Sequence, residues 1–198
     1  PEGEEPLEMN VRMHFKEAIE PLEDQTWHCL VWQSGDDGYD RMALCPEKDY
    51  AKAFFTIQLG QWSEPAQHDF TVKGDGRTEK GVFRAKLMQL SDDAEEFKLY
   101  ISGIAGRCGF IAPAEAAAQI DFTKHITAND IGLVAYLHGI IDTDTVCELV
   151  DFHSAWLWNT IESLIKANED WDLFYMHSHP IDWFYHGWLS ELDSTDDA

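Results

Sequence analysis

Between Leu7 and Phe15 the chain alternates: Leu7, Met9, Val11, Met13 and Phe15 are apolar, with mostly polar residues between them. A period of two predicts a strand with one buried face. Residues 27–33 and 39–44 predict two more strands, joined through the turn Ser34-Gly35-Asp36-Asp37-Gly38. Residues 54–59, 69–73, 82–90 and 97–101 are further short apolar runs, and Gly74-Asp75-Gly76 is a strong turn signal among them. The first hundred residues therefore predict one antiparallel sheet with a helix or two. After Gly109 the period changes. Residues 113–120 are Ala-rich with a proline in the first turn, which predicts a helix. Asp142 or Thr143 is placed to cap a long helix reaching about Ala167. Its apolar positions Val146, Leu149, Val150, Trp156, Ile161, Leu164 and Ile165 recur at helical spacing. Trp171-Asp172-Leu173-Phe174-Tyr175 reads as a buried strand over 172–177, and residues 182–191 as a short helix. Helix, strand, helix is the rhythm of an α/β layer. The predicted class is α/β (α+β overall), with a β-rich region at 1–108 and a helix–strand–helix region at 109–198.

Charge narrows the partners. The 198 residues carry a formal net charge of −23, which argues against nucleic acid and against anionic membrane surfaces, since both need a positive footprint. No run approaches the ~18 apolar residues of a membrane span, and no signal peptide is visible. Four cysteines (Cys29, Cys45, Cys108 and Cys147) form no Cys-x-x-Cys pair, so a zinc ribbon is not expected. They fit buried thiols in a reducing, cytoplasmic setting; a Cys29–Cys45 bridge across a hairpin stays open. Gly103, Gly106 and Gly109 do not make a phosphate loop, because no Lys or Ser/Thr follows at the needed position. Arg84 and Lys86 are two of few cations. They are expected to pair with nearby acids on a strand surface, or else to face a phosphate.

The chemistry concentrates in His177-Ser178-His179-Pro180-Ile181-Asp182-Trp183-Phe184-Tyr185-His186. Asp182 and His186 are four residues apart and so share one face of a helix. A carboxylate and an imidazole so placed can grip one zinc ion, which takes O and N ligands at about 2 Å. Two ligands are too few for a complete site. His177, His179, His153 and His138 are the residues that could add to them. In the bland alternative Asp182 caps the helix and His186 packs on its apolar face.

Several stretches together resemble the alkaline phosphatase superfamily, and within it the type I phosphodiesterase/nucleotide pyrophosphatase-like proteins. They are Gly38-Tyr39-Asp40-Arg41, Gly60-Gln61-Trp62-Ser63, Gly81-Val82-Phe83-Arg84-Ala85-Lys86-Leu87 and Lys98-Leu99-Tyr100-Ile101-Ser102, then Trp171–Tyr175 and Asp182-x-x-x-His186. The resemblance spans about residues 10–190. It implies an alkaline-phosphatase-like core with a β-rich insertion. It also implies a two-zinc phosphoesterase acting on phosphate mono- or diesters, with Asp182 and His186 holding the zinc that does not carry the nucleophile. The nucleophile and the later Asp-His and His ligands of that family have no counterpart in this chain, which is therefore expected to be an internal fragment, inactive alone.

Two rival readings make different demands. His177-Ser178-His179-Pro180, followed by Ser190-Glu191-Leu192-Asp193, resembles the JAB/MPN-type metalloproteases, with a spacer longer than that pattern holds. It would need His177, His179 and Asp193 around one metal ion. A non-enzymatic acidic interaction module would need no metal.

Overall fold

The computed structural model describes residues 6–15, 21–35, 38–106, 114–120 and 132–192. The chain divides into two compact units, Pro1–Phe110 and Ile111–Ala198. Its secondary structure is mixed α and β, and the sheets are antiparallel.

The first unit holds three small sheets where the pattern predicts one. Strands β1 (Leu7–Met13), β2 (Gln25–Trp32), β3 (Arg41–Cys45) and β4 (Phe55–Gln58) form an antiparallel meander. Its register sets Met9 opposite Cys29 and Leu44 opposite Phe55. Strands β5 (Ala66–Thr71), β6 (Thr78–Phe83) and β9 (Ala105–Gly106) form the second sheet; β7 (Ala85–Leu90) and β8 (Phe97–Ile101) form the third. The predicted strand 82–90 is thus cut at Arg84, and the two halves join different sheets. Two buried serines account for the switch. Ser102 Oγ accepts from the Arg84 amide at 2.9 Å, and Ser63 Oγ accepts from the Ala85 amide at 3.0 Å. Side-chain hydroxyls thus satisfy main-chain donors at the break, where a buried orphan would be costly.

One apolar core draws on all three sheets. Trp27 stacks on Phe83 with ring centroids 5.1 Å apart and meets Phe54 edge-on at 5.0 Å. Met42, Leu44, Ile57, Phe70 and Leu87 fill the space around them. Gln25 Oε1 lies 2.9 Å from both Trp27 Nε1 and His68 Nε2, so it accepts from both rings when the His68 proton sits on Nε2. Burial in this aromatic setting lowers the His68 pKa below its ordinary 6.5.

Cys29 and Cys45 are free and buried. Cys29 lies opposite Leu44, and Cys45 opposite His28, so the two thiols are one step out of register and point to opposite sheet faces. Burial, with Cys45 adding to it, pushes the Cys29 thiol up to about 12. Arg84 and Lys86 are more enclosed than a strand surface implies. Arg84 Nη1 donates to the Ser63 carbonyl at 3.1 Å, and buried Lys86 holds its Nζ 5.8 Å from the centroid of the Trp62 ring.

The second unit is helical. It contains α1 (Ala114–Ala117), α2 (Leu133–Leu137), α3 (Thr143–Ala167) and α4 (Pro180–Leu192). Asp142 rather than Thr143 caps α3, its Oδ1 accepting from the Thr145 amide at 2.8 Å. Val146, Leu149 and Val150 are buried along its first half, whereas Trp158 is 61% exposed. Helix α2 touches both α3 and α4. Tyr136 lies 4.9 Å from Trp188, ring to ring.

The predicted strand 172–177 is not formed. Residues 168–179 join α3 to α4 without helix or strand. Among the described residues, 173–178 make no backbone-to-backbone hydrogen bond, and Leu173 and Tyr175 are 85% and 82% exposed. The run has the composition of a strand. A strand also needs a neighbour to ladder with, and none of the described strands belongs to this unit.

Candidate metal centre

Helix α4 begins at Pro180, whose fixed φ and missing N–H suit the first helical position. The Trp183 amide donates to the His179 carbonyl at 3.0 Å and closes the first turn. That start puts Asp182 in the first turn, where the helix dipole favours a carboxylate. His186 follows one turn later on the same face.

The two predicted ligands meet. Asp182 Oδ1 lies 3.6 Å from His186 Nε2. Two atoms each about 2 Å from one tetrahedral ion sit about 3.3 Å apart, so a small rotation would close this pair on a single ion. The donors, one carboxylate oxygen and one imidazole nitrogen, are of the kind zinc takes. Both side chains are more than half exposed, so their mutual attraction without a metal is weak.

A third group reaches the same carboxylate from the other side. His179 Nδ1 lies 3.5 Å from Asp182 Oδ2. The His179 ring stacks on Trp183 with centroids 5.8 Å apart and planes inclined by 19°, and its centroid is 4.0 Å from that of His177. Trp183 in turn meets His153 of α3 edge-on at 4.8 Å. His153 thus stands two rings away from the carboxylate, and His138 caps the end of α2. Among the described residues, no three His, Cys, Asp or Glu side chains are placed to hold one metal ion. Asp182 and His186 with His179 behind them are therefore a partial site. Asp193, which the metalloprotease reading requires, lies outside the described residues.

His179 is among the histidines that could add to the pair, but the sequence does not place its contact with Asp182, because the two residues straddle the start of a helix. The contact's only sequence signal is the three-residue spacing His-x-x-Asp, which is meaningful once both residues are known to flank one turn.

An apolar cleft of about 330 Å³ runs along the neighbouring side of α4, lined by Ile181, Phe184, Tyr185 and Trp188. No described helix is long and apolar enough to cross a membrane. Compared with models of protein families, with curated proteins and with solved structures, the chain gives no match.

Proposed function

We propose that this chain is part of an alkaline-phosphatase-like, two-metal phosphoesterase that hydrolyses phosphate mono- or diesters, to which it contributes one zinc half-site. The observation that carries the reading is the facing pair Asp182 and His186, one turn apart on α4 with donor atoms 3.6 Å apart. The segment in front of them supports it. Among the described residues, 173–178 make no backbone-to-backbone hydrogen bond, and Leu173 and Tyr175 are exposed while Phe174 and Met176 are only half-buried. A sheet contributed by the rest of such a protein would pair and cover them, and ligands at the carboxyl end of a strand are a common arrangement in α/β proteins.

Within the proposed site the chain's own residues have simple tasks. Asp182 offers an anionic oxygen and His186 a neutral nitrogen, on a helix stiff enough to fix their separation. When bound, zinc at this position supplies Lewis-acid stabilisation of the charge that develops on the leaving oxygen. The nucleophile and the remaining ligands would come from outside these residues.

The test is phosphodiester hydrolysis by the longer protein that contains this segment, using bis(p-nitrophenyl) phosphate. Wild type should turn over, and Asp182→Ala should fall to background while its circular dichroism and melting stay close to wild type. Unchanged hydrolysis by the variant would remove Asp182 from the site. Cleavage of an isopeptide bond by the 198-residue chain alone would favour the metalloprotease reading instead.

A further inference from the structure

We infer that His179 is the positioning residue of this half-site: its Nδ1 lies 3.5 Å from Asp182 Oδ2 and is placed to hold that oxygen, leaving Oδ1, which faces His186, for the metal. The inference rests on the reading of Asp182 and His186 as ligands and adds how the first of them is aimed.

An aspartate side chain is free to turn its carboxylate. Its terminal torsion is broad and nearly two-fold. An exposed carboxylate therefore presents either oxygen, or both, and a metal that binds one geometry must wait for it. Here the two oxygens have different neighbours: Oδ2 faces His179 and Oδ1 faces His186. With its proton on Nδ1, a small approach from 3.5 Å would let His179 donate to Oδ2, and Oδ1 stays available as a single-oxygen ligand. Groups behind a ligating carboxylate characteristically hold it in this way.

His179 can do this because its own ring is held. Trp183 lies nearly parallel to it, His177 lies close by, and Trp183 is set edge-on against His153 of α3. Orientation thus passes from the long helix through Trp183 and His179 to the carboxylate. His177 touches the His179 ring, but it is not one of the two histidines paired with Asp182.

The test is Co²⁺ titration of the 198-residue chain, followed by paramagnetic shifts of histidine side-chain NMR signals, so that affinity is read without turnover. His179→Ala should weaken Co²⁺ binding by about tenfold or more, the range for losing a group that orients a ligand. His179→Asn, whose amide N–H stands close to where Nδ1–H stood, should restore most of it. Trp183→Leu should weaken binding although it supplies no ligand, and unchanged α4 amide shifts should show that the helix persists. Equal affinity of wild type and His179→Ala would overturn the positioning role. So would His179→Asn binding no better than His179→Ala, since that makes the imidazole itself a ligand. No Co²⁺ binding by wild type at millimolar metal would instead overturn the assignment of Asp182 and His186, and this inference with it.

Discussion

Replacing Gly38 with alanine should be among the most damaging single-methyl additions in the first unit, and its cost can be built from two separate terms. The first is backbone strain. Gly38 has φ +94°, in the left-handed region. An L-residue forced towards left-handed backbone loses about 1–2 kcal/mol. The second is crowding. A Cβ at Gly38 would stand 2.7 Å from Asp92 Cβ, 2.8 Å from its Cα and 2.9 Å from its carbonyl oxygen. These are mostly backbone atoms, so no rotamer change relieves them. The backbone there is also tied down, because the Tyr39 amide donates to that same Asp92 carbonyl at 3.1 Å. Overpacking of this kind costs about 1–3 kcal/mol, so Gly38→Ala should lose about 2–5 kcal/mol in total.

Two companions separate the terms. Gly60 has φ +76° with open space around its missing Cβ, so Gly60→Ala should show strain alone, about 1–2 kcal/mol. At Gly81 a Cβ would lie 2.5 Å from Ile104 Cγ2 and 2.6 Å from Phe70 Cε2, so Gly81→Ala should show crowding alone, about 1–3 kcal/mol. The assay is urea unfolding followed through amide NMR signals of β2, β3 and β7, which reports on this unit by itself. A Gly38→Ala cost no larger than that of Gly60→Ala would refute the close approach of Asp92 to the β2–β3 turn.

Two further predictions concern the same unit. Ser63→Ala should cost about 1–3 kcal/mol in the same assay, because the buried Ala85 amide loses its 3.0 Å acceptor; a loss near zero would mean that the break between β6 and β7 does not depend on this hydroxyl. His68 should make the unit acid-sensitive. Its folded pKa lies below the ordinary 6.5 because of burial, so the unfolded chain binds the proton more readily. Stability from this residue is full above 6.5 and declines as pH falls below 6.5 towards the lowered folded value. His68→Gln should therefore flatten the fall in Tm between neutral and mildly acidic pH; an unchanged slope would show that His68 is not its source.

The reach of the sequence differs between the two halves for a physical reason. Period-two alternation marks a strand well when one face is buried, and Leu7–Met13 was legible on that basis, whereas residues 27–33 and 97–101 were legible as short apolar runs. Alternation says nothing about which strand pairs with which. The division into three sheets depends on Ser63 and Ser102, whose hydroxyls meet main-chain donors about twenty residues away in sequence. In the second half, the cap of α3 is a local device and was legible as Asp142 or Thr143, whereas α4 starts at Pro180, two residues before the predicted helix 182–191. Residues 172–177 have the composition of a strand, and composition cannot supply the neighbour that a ladder requires. The spacing of Asp182 and His186 was legible because a helix turns four residues into one face. The approach of His179 was not, because it depends on where the helix starts and on the stack with Trp183.

The most direct test of the half-site account is zinc titration of the 198-residue chain by calorimetry, with Asp182→Ala measured in parallel. The account predicts weak binding by the wild-type chain, reduced further in the variant, because one carboxylate and one imidazole make an incomplete site. Tight, one-to-one binding by the chain alone would contradict it by showing a complete metal centre. Binding that Asp182→Ala leaves untouched would place any metal elsewhere.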